Sequence, residues 1–291
     1  MTASPSSAAA KGTLYLVATP IGNLEDITLR ALRILREAGV IACEDTRRTQ
    51  KLLSHYEIRR PLVSYHEHNE RTRAAELVAR MEQGESVALV SDAGMPLLSD
   101  PGHRLVALAI ERGIAVVPVP GASALVAALA AAGMPGDEFT FAGFLPSRSG
   151  ERRRALERLA SEPRTLVLYE APHRLRATLR DAREILGNRP AVVARELTKI
   201  HEEFVRGSLE ELLAHFSAEP RGEVTLLIAP LPVGADQRVR PGAPAATTLA
   251  QRVTELMQQH GLDRKAALKR AARERGLSKR DAYRALLSEE K

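Results

Sequence analysis

Short apolar segments that end in polar loops are the feature that most constrains how this 291-residue chain folds. Residues 87–90 read VALV and run into the loop sequence SDAGMP, which contains a glycine, a proline and a carboxylate. Three further segments, at 14–17, 116–119 and 166–169, lead into loops that read TPIGN, PGAS and EAPHR. Open α/β sheets place their ligand sites at the carboxyl ends of parallel strands. The set therefore predicts one cleft that is lined by loops from two sheets.

Strand and helix signals alternate through the first part of the chain, residues 12–120. Apolar residues recur at helical spacing over 29–36, with Gly39 as the stop signal and Thr28 or Asp26 as the cap. The same criteria predict strands at 14–17, 40–43, 62–65, 87–90 and 115–119 and further helices at 47–54, 70–83 and 104–112. Such alternation predicts a parallel sheet with helices on its faces.

The following residues, 121–230, predict a second α/β domain with a mixed sheet. A helix of small residues at 122–132 opens this domain. Strands are predicted at 139–143, 165–169, 191–195 and 224–229, with helices at 151–160 and 175–186 between them. The fold class is therefore α/β, with an N-terminal domain over 12–120 and a C-terminal domain over 121–230. Residues 1–11, rich in Ser and Ala, predict a disordered lead-in.

The C-terminal part of the chain differs in composition from the rest. Residues 231–248 hold several Pro, Gly and Ala and predict a linker. Residues 249–291 predict two or three short helices, and they carry 11 Lys and Arg against 6 Asp and Glu, while the remaining residues carry 31 against 30. The predicted helices lie at 249–260, 264–275 and 278–287, the last with Ser278 and Asp281 in capping-box positions. The basic charge favours a polyanion partner or an ordinary solvated helical surface equally, and the helical pattern resembles a helix-turn-helix nucleic-acid module, with a small helical dimerisation tail as the alternative.

Several classes of protein find no support in the sequence. Apolar residues make up 44% of the chain, but none of their runs is long enough to cross a bilayer, and the N-terminus lacks signal-peptide features. Cys43 is the single cysteine, which excludes an intramolecular disulfide and a cysteine-clustered zinc site. His66 and His68 have no third ligand in view, so we expect no metal. Dinucleotide, P-loop and serine-hydrolase signatures are absent from the sequence. The single cysteine and the lack of membrane and signal segments lead us to expect a cytoplasmic protein.

The loops themselves suit a small polar ligand with an apolar body. Small residues permit close approach of the backbone, and a few polar side chains offer oriented hydrogen bonds, as a nucleoside-like ligand requires. The small residues are Pro20, Ala93, Gly94 and Ala122, and the polar ones are Asn23, Ser91, Asp92 and Ser123. Each loop taken alone is equally compatible with a tight turn, and only their number favours a site.

Two charged segments, 169–174 and 194–203, follow predicted strands of the second domain. Arg174 and Lys199 are suited to bind phosphate, because both side chains are cationic. Glu170, His173 and His201 are suited to manage a proton. Dense charge in a loop is also typical of solvated surface, but here it lies where the other loops are expected to converge.

At these residues the chain resembles a known family, the bacterial small-subunit ribosomal RNA 2′-O-ribose cytidine methyltransferases of the tetrapyrrole methylase superfamily. Six motifs carry the resemblance in order: TPIGNL at 19–24, CEDTR at 43–47, SDAGMP at 91–96, PGASA at 120–124, YEAPHR at 169–174 and ARELTK at 194–199. The resemblance implies a two-domain class III methyltransferase fold, S-adenosylmethionine as the methyl donor and a homodimer. The implied substrate is a cytidine ribose in the decoding centre of 16S rRNA, and the tail resembles the family's C-terminal helical domain.

The resemblance also implies which residues bind the donor. They are Pro20, Asp92, Ala93, Gly94, Met95, Leu98, Ser123, Ala124, Tyr169, Glu170 and Leu197. Met95 stands where we expect a threonine in that family, and Ala171 stands where we expect a serine. Both changes remove a hydroxyl, so donor binding through the backbone is expected to survive them.

Methyl transfer to a ribose hydroxyl requires alignment of oxygen, methyl and sulfur, together with a group that manages the hydroxyl proton. The candidates for that group are Glu170, His173, Glu196, Lys199 and His201. The expected contacts to RNA are Asn23, Arg47, Arg174, Lys199, Lys265, Lys269, Arg270, Lys279 and Arg280. Two alternatives stay open: a methyltransferase of the same superfamily that acts on a tetrapyrrole or diphthine precursor, and a non-enzymatic RNA-binding assembly factor.

Overall fold

The computed structural model describes residues 10–231, 253–254, 256–258, 263–274 and 282. Most of the predicted lead-in and linker, parts of the helices predicted at 249–260 and 264–275, and nearly all of the helix at 278–287 lie outside the described residues. Ser278 and Asp281, and with them the predicted capping box, also lie outside. The chain divides into two compact units, Met1–Leu231 and Pro232–Lys291.

A five-stranded parallel sheet forms the N-terminal part of the first unit, as predicted. Its strands are β1 (Thr13–Val17), β2 (Val40–Cys43), β3 (Leu62–Ser64), β4 (Val87–Val90) and β5 (Ala115–Val119), in the order β3-β2-β4-β1-β5. Its helices are α1 (Leu29–Glu37), α2 (Thr46–His55), α3 (Glu70–Glu82) and α4 (His103–Glu111). Because all the strands are parallel, the loops after β1, β4 and β5 emerge side by side at one edge.

Both faces of this sheet are buried, which explains why its central strands are continuously apolar. Side chains of α3 and α4 cover one face, and side chains of α1 and α2 cover the other. The side chain of Thr28 caps α1 by accepting a hydrogen bond from the amide of Ala31, so Thr28 rather than Asp26 is the cap. Cys43 is fully buried at the end of β2, and burial raises the pKa of its thiol.

The second sheet is mixed, again as predicted. Its strands are β6 (Phe139–Phe144), β7 (Thr165–Glu170), β8 (Pro190–Arg195), β9 (Glu203–Ser208) and β10 (Val224–Ile228), in the order β6-β7-β10-β8-β9. Only β6 and β7 pair in parallel. The accompanying helices are α5 (Ala124–Ala132), α6 (Ser149–Leu159), α7 (Pro172–Leu186) and α8 (Leu209–His215).

Helices cover both faces of the second sheet as well. α6, α7 and α8 pack on one face, where Arg152 of α6 and Asp181 of α7 form a buried ion pair at 2.7 Å. α5 packs on the other face, together with Ile21 from the loop after β1 and Leu197 from the loop after β8. Residues of the first region thus contribute to the core of the second, so the boundary at 120/121 stays a prediction.

Two elements of this region were not predicted. β9 and α8 lie within 203–215, where the sequence predicted no element and where the charged segment 194–203 ends. The helix is nevertheless marked by a capping box, because Ser208 accepts from the amide of Glu211 while the Glu211 carboxylate accepts from the amide of Ser208.

The second unit is described only in part. Its longest described element is α9 (Arg264–Glu274), which agrees with the helix predicted at 264–275. The described residues of this unit include a small buried apolar cluster, formed by Val253, Leu256, Ala267, Ala271, Ala272 and Ala282. Among the residues that the structure describes in both units, no helix is long and apolar enough to cross a membrane.

Candidate functional site

Backbone hydrogen bonds join the loops that follow β1 and β4. The amide of Thr19 donates to the carbonyl of Gly94 at 2.9 Å, and the amide of Gly94 donates back to the carbonyl of Thr19 at 3.0 Å. The Thr19 hydroxyl adds a bond to the carbonyl of Ser91. Gly94 has φ of +79°, a conformation that L side chains rarely adopt. Two of the predicted ligand loops are therefore fixed against each other by their own backbones.

A cavity of about 380 Å³ opens beside this junction, between the loops of the first sheet and those of the second. Small-molecule sites in proteins measure roughly 300–1,000 Å³ and are mostly apolar with a few polar groups. The residues that line it come from both sheets: Ile21, Arg48, Asp92–Met95, Leu98–Asp100, Ser123, Ala124, Phe144, Tyr169–Pro172, Ala194, Leu197 and Glu223–Thr225. The single cleft expected from the loop pattern is present as a cavity.

Ten of the eleven residues expected to bind a methyl donor line this cavity. The exception is Pro20, which lies next to the lining residue Ile21. Met95 and Ala171, the two positions where a hydroxyl is missing, both line it too. Ser123 caps α5 by accepting a hydrogen bond from the amide of Val126, which leaves this hydroxyl partly committed to the helix.

One wall of the cavity is acidic. Asp92 accepts a hydrogen bond from the amide of Asp45 at 3.1 Å and lies 3.4 Å from the guanidinium of Arg48. Asp100 lies nearby, and burial, together with the charges of Glu44 and Asp92, raises its pKa to about 6. Burial also raises the pKa of Glu44, with Asp92 and Glu67 adding to the effect. Negative charge on this wall suits a ligand that carries positive charge.

Glu170 lies at the end of β7 with only 2% of its surface exposed, and protein groups occupy both its carboxylate oxygens. Oε1 accepts from the amide of Ala171 at 2.8 Å, and Oε2 accepts from the hydroxyl of Thr178. Arg174 Nε lies 3.2 Å from Oε1 without hydrogen-bond alignment, and its Nη2 donates to the carbonyl of Leu145. These contacts hold the start of α7 against β6 and β7.

Lys199 and Glu196 form an ion cluster beside the cavity rather than in its lining. Lys199 Nζ donates to Glu196 Oε1 at 2.8 Å and to Glu223 Oε2 at 3.1 Å. Burial lowers the pKa of Lys199, but the hydrogen bonds to the two glutamates outweigh it and the pKa lies above its ordinary value. The bond from Lys199 holds the pKa of Glu196 below its ordinary value. Lys199 is therefore a cation here, and unsuited to accept a proton.

The other predicted proton carriers and RNA contacts lie at the surface. His173 and His201 are exposed and do not line the cavity. Asn23 and Arg47 are exposed, and Arg47 pairs with Asp45 at 2.9 Å. In the second unit, Lys265, Lys269 and Arg270 are exposed on α9, while Lys279 and Arg280 lie outside the described residues.

The sequence did not identify Arg48 and Asp100 as site residues, although both line the cavity. The motif at 43–47 includes Arg47 but not Arg48. Because α2 buries Thr49 and Leu53, Arg48 rather than Arg47 faces the site. Asp100 follows the SDAGMP motif by four residues in a loop without regular structure. The signal that marks it is the sequence SDPG at 99–102, a carboxylate in a turn sequence.

Aromatic side chains form another wall. Tyr169 contacts Phe141 edge-on at 4.9 Å between ring centroids and contacts Phe144 at 5.6 Å. Phe144 is 54% exposed and lines the cavity, in a chain with only 3% aromatic residues. The site thus offers an apolar and aromatic surface, close backbone from small residues and an acidic wall. This combination fits a nucleoside that carries a positive charge, and so it fits S-adenosylmethionine.

Known proteins resemble the chain over most of its length. A family model described as tetrapyrrole (corrin/porphyrin) methylases matches residues 13–213. Ribosomal RNA small subunit methyltransferase I of Halalkalibacterium halodurans is 50% identical over 277 residues, 94% of each chain. The protein of that name from Bacillus subtilis is 44% identical over 274 residues, 94% of this chain and 93% of its own. The one from Thermotoga maritima is 51% identical over 219 residues, which span 75% of this chain and 98% of that relative.

Solved structures share the fold at lower identity. The uroporphyrin III C-methyltransferase of Thermus thermophilus in complex with S-adenosyl homocysteine has a TM-score of 0.54 at 23% identity and covers 75% of this chain and 97% of its own. A diphthine synthase has a TM-score of 0.60 at 17% identity and covers 75% of this chain and 90% of its own. At such identities the likeness establishes the fold alone.

Proposed function

Because the chain belongs to the tetrapyrrole (corrin/porphyrin) methylase family and, within it, to the ribosomal RNA small subunit methyltransferases I, we propose that it methylates 16S rRNA. The methyl donor is S-adenosylmethionine, and the acceptor is the ribose 2′-hydroxyl of a cytidine in the decoding centre. The observation that carries the proposal is the cavity in which loops from both sheets meet around an acidic and an aromatic wall.

S-adenosylmethionine supplies an activated methyl group on a positively charged sulfur. The carboxylates of Asp92 and Asp100 favour that charge in the cavity, and the loop at 92–95 offers backbone groups to the nucleoside. Tyr169 and Phe144 offer aromatic surface to an adenine or to a base of the RNA. A ribose hydroxyl is a weak nucleophile, so holding it in line with the methyl group supplies much of the rate acceleration.

The substrate is an RNA or a ribosomal particle, as the names of the relatives indicate. We assign the phosphate contacts to the exposed cations Arg47, Lys265, Lys269 and Arg270, of which the last three belong to α9. A basic helical tail is typical of an RNA tether. In this proposal the protein acts in the cytoplasm, where ribosomal subunits are made, works as a homodimer and needs no metal.

Mapping ribose methylation in 16S rRNA tests the proposal. Small subunits from a strain without this chain should lack one 2′-O-methylcytidine, and the purified protein with S-adenosylmethionine should restore it. Free 16S rRNA serves as a second substrate and tells whether the assembled particle is needed. A deletion strain whose 16S rRNA keeps every 2′-O-methylcytidine of the parent strain would refute the proposal.

A tetrapyrrole or a diphthine precursor is not the favoured substrate. Both fold relatives with such names share less than a quarter of their residues with this chain, whereas the relatives named for rRNA share about half. Incubation with uroporphyrinogen under the same conditions should give no methylated product. A non-enzymatic RNA-binding role would be favoured if the protein failed to bind S-adenosylmethionine in a calorimetric titration.

A further inference from the structure

Asp92, Asp100 and Glu170 line the cavity beside Glu223, which pairs with Lys199, and these three carboxylates differ in their partners. Asp92 is engaged by the amide of Asp45 and by Arg48. Glu170 is engaged at both oxygens by Ala171 and Thr178. Asp100 has no cationic partner within the described part of the chain, and only a hydrogen bond from Ser91 counteracts the effects that favour its protonated form. Of the three, Asp100 is therefore the carboxylate best able to exchange a proton with a ligand.

The loop that carries Asp100 is held in an unusual backbone conformation. Leu97 and Ser99 have φ of +74° and +70°, and Gly102 has φ of +142°. A side chain at Gly102 would place its Cβ 2.9 Å from Leu89 in the core of the sheet. Non-glycine residues at positive φ are unfavourable and persist where the surrounding structure requires them, often at functional sites. In this backbone conformation Asp100 lies in the cavity lining.

The groups around Asp100 are mostly acidic or neutral. Glu44 from the end of β2 and Asp92 from the loop after β4 face it with negative charge, and Tyr169 from β7 faces it with a phenol. Arg48 of α2 is the cation in the cavity lining, and it pairs with Asp92. Burial and the two acidic neighbours raise the pKa of Asp100 to about 6. A carboxylate of this kind is ionised at neutral pH and more basic than an ordinary aspartate.

We propose that Asp100 accepts the proton of the ribose 2′-hydroxyl during methyl transfer, an assignment that rests on the proposed function. The hydroxyl oxygen attacks the methyl carbon and forms the O–C bond while its proton moves to the carboxylate of Asp100. The C–S bond breaks, and its electron pair stays on sulfur, which becomes the neutral thioether of S-adenosylhomocysteine. The proton on Asp100 then passes to solvent when the products leave.

Asp100→Asn tests this assignment, because it keeps the shape of the side chain and removes the proton acceptor. In single-turnover methylation of small subunits with saturating donor, the rate should fall by about 100-fold or more. The dissociation constant of S-adenosylmethionine, measured by calorimetry, should rise by less than about tenfold, because Asp92 still favours the sulfonium charge, and most of the loss should therefore appear in the rate at saturating donor. Asp137→Asn, the same substitution at an exposed position, is the matched control and should leave both values unchanged.

The pH dependence gives a second readout on the unmodified protein. Its kcat/KM should rise about tenfold per pH unit below pH 6 and level off above it, because this profile reports groups of the free enzyme. Asp100→Asn should lose this rise.

Stability without donor or RNA gives a third readout. The folded protein binds more protons than the unfolded chain between pH 4 and 6, so ionised Asp100 destabilises the fold above pH 6. Asp100→Asn should therefore melt at a higher temperature than the unmodified protein at pH 7, and the difference should vanish below about pH 4.

Three results would overturn the assignment: a rate of Asp100→Asn within about threefold of the unmodified protein, a loss that appears wholly as weaker donor binding, or a pH profile that the substitution leaves unchanged. If the unmodified protein methylates small subunits while one of these results is found, the proposed function stands and only the assignment of Asp100 fails. If the unmodified protein does not methylate rRNA, both fail.

Discussion

Glu170 and Asp100 line the same cavity, yet their surroundings give the two carboxylates different roles. Glu170 is almost wholly buried and accepts hydrogen bonds at both oxygens. Buried carboxylates that are fully engaged by protein donors stabilise a fold rather than exchange protons. We therefore interpret Glu170 as a positioning residue that fixes the start of α7 and Arg174 beside the site.

Glu170→Gln should lower stability more than it lowers the rate of methylation. The amide cannot accept at both of its polar atoms, so one of the donors from Ala171 and Thr178 loses its partner. We expect the free energy of unfolding to fall by about 1–3 kcal/mol, measured by urea denaturation. Donor affinity and single-turnover rate, measured well below the melting temperature, should stay within about threefold.

Glu157→Gln, at an exposed position on α6, is the control for that experiment and should leave stability unchanged. A Glu170→Gln protein of full stability that has lost its activity would contradict this interpretation. Such a result would return Glu170 to the role of a proton carrier.

Individual residues were harder to predict than the loops that carry them. The SDAGMP motif marked Asp92 by its position after an apolar strand. Whether Asp100 reaches the cavity depends instead on the path of an irregular loop. Arg47 and Arg48 are neighbours in the sequence, but adjacent residues on a helix are about 100° apart, and only the burial of Thr49 and Leu53 decides which one reaches the cavity. Local sequence carries neither piece of information.

Among the elements, α8 depends most visibly on its cap. It has only seven residues, too few to be stable in isolation, and it begins at the reciprocal hydrogen bonds of Ser208 and Glu211. Leu209 and Leu212 anchor it in the core beside α7. The sequence SLEE contains this capping box, but a helix of seven residues is too short for apolar periodicity to mark it.

Ser208→Ala should destabilise the protein by about 1 kcal/mol, because the first turn of α8 loses a side-chain acceptor. The shift in the midpoint of urea unfolding measures this effect. Ser161→Ala, at an exposed turn, is the matched control. Equal midpoints for the two variants would mean that packing alone holds α8 in place.

Elements with strong apolar periodicity agree with prediction to within a few residues, as α1 and β5 illustrate. β9 was missed because its sequence, EFVRGS, is neither continuously apolar nor strictly alternating, and its pairing with β8 over Pro190 to Arg195 defines it instead. Pairing with a neighbouring strand stabilises such a segment, and a single sequence does not show which segments pair.

At the scale of the molecule, two sheets in one compact unit enclose the cavity, and a basic tail forms a separate unit. The loop pattern was sufficient to predict that the cavity exists, because parallel strands bring their carboxyl ends to one edge. The order of the strands was not predictable in the same way. It depends on which of several similar apolar segments pair at the centre, and β1 lies between β4 and β5.

Removal of residues 249–291 should weaken binding to small subunits while leaving donor binding nearly unchanged. The Thermotoga maritima relative, matched almost fully by 219 residues of this chain, is a family member of about three quarters of this length. For every phosphate that the shortened protein no longer neutralises, the slope of log affinity against log salt should become shallower by about 0.7–0.9. Filter binding at several salt concentrations, with calorimetry for the donor, measures both effects.

A double variant, Lys265→Gln with Lys269→Gln, refines the tail experiment. These exposed residues are four apart on α9 and lie on one face, so their substitution should reduce affinity by part of the effect of the full deletion. An RNA affinity that neither the deletion nor the double variant alters would contradict the role of the tail as a tether.

The most direct test of the cavity as the donor site is a calorimetric titration of S-adenosylmethionine into the unmodified protein, into Ala124→Trp and into Ala130→Trp. Ala124 lines the cavity at the start of α5, whereas Ala130 is exposed on the same helix. We predict one binding site per chain, weakened at least about tenfold by a tryptophan at 124 and unaffected by one at 130. Donor binding that a filled cavity leaves unchanged would contradict this assignment.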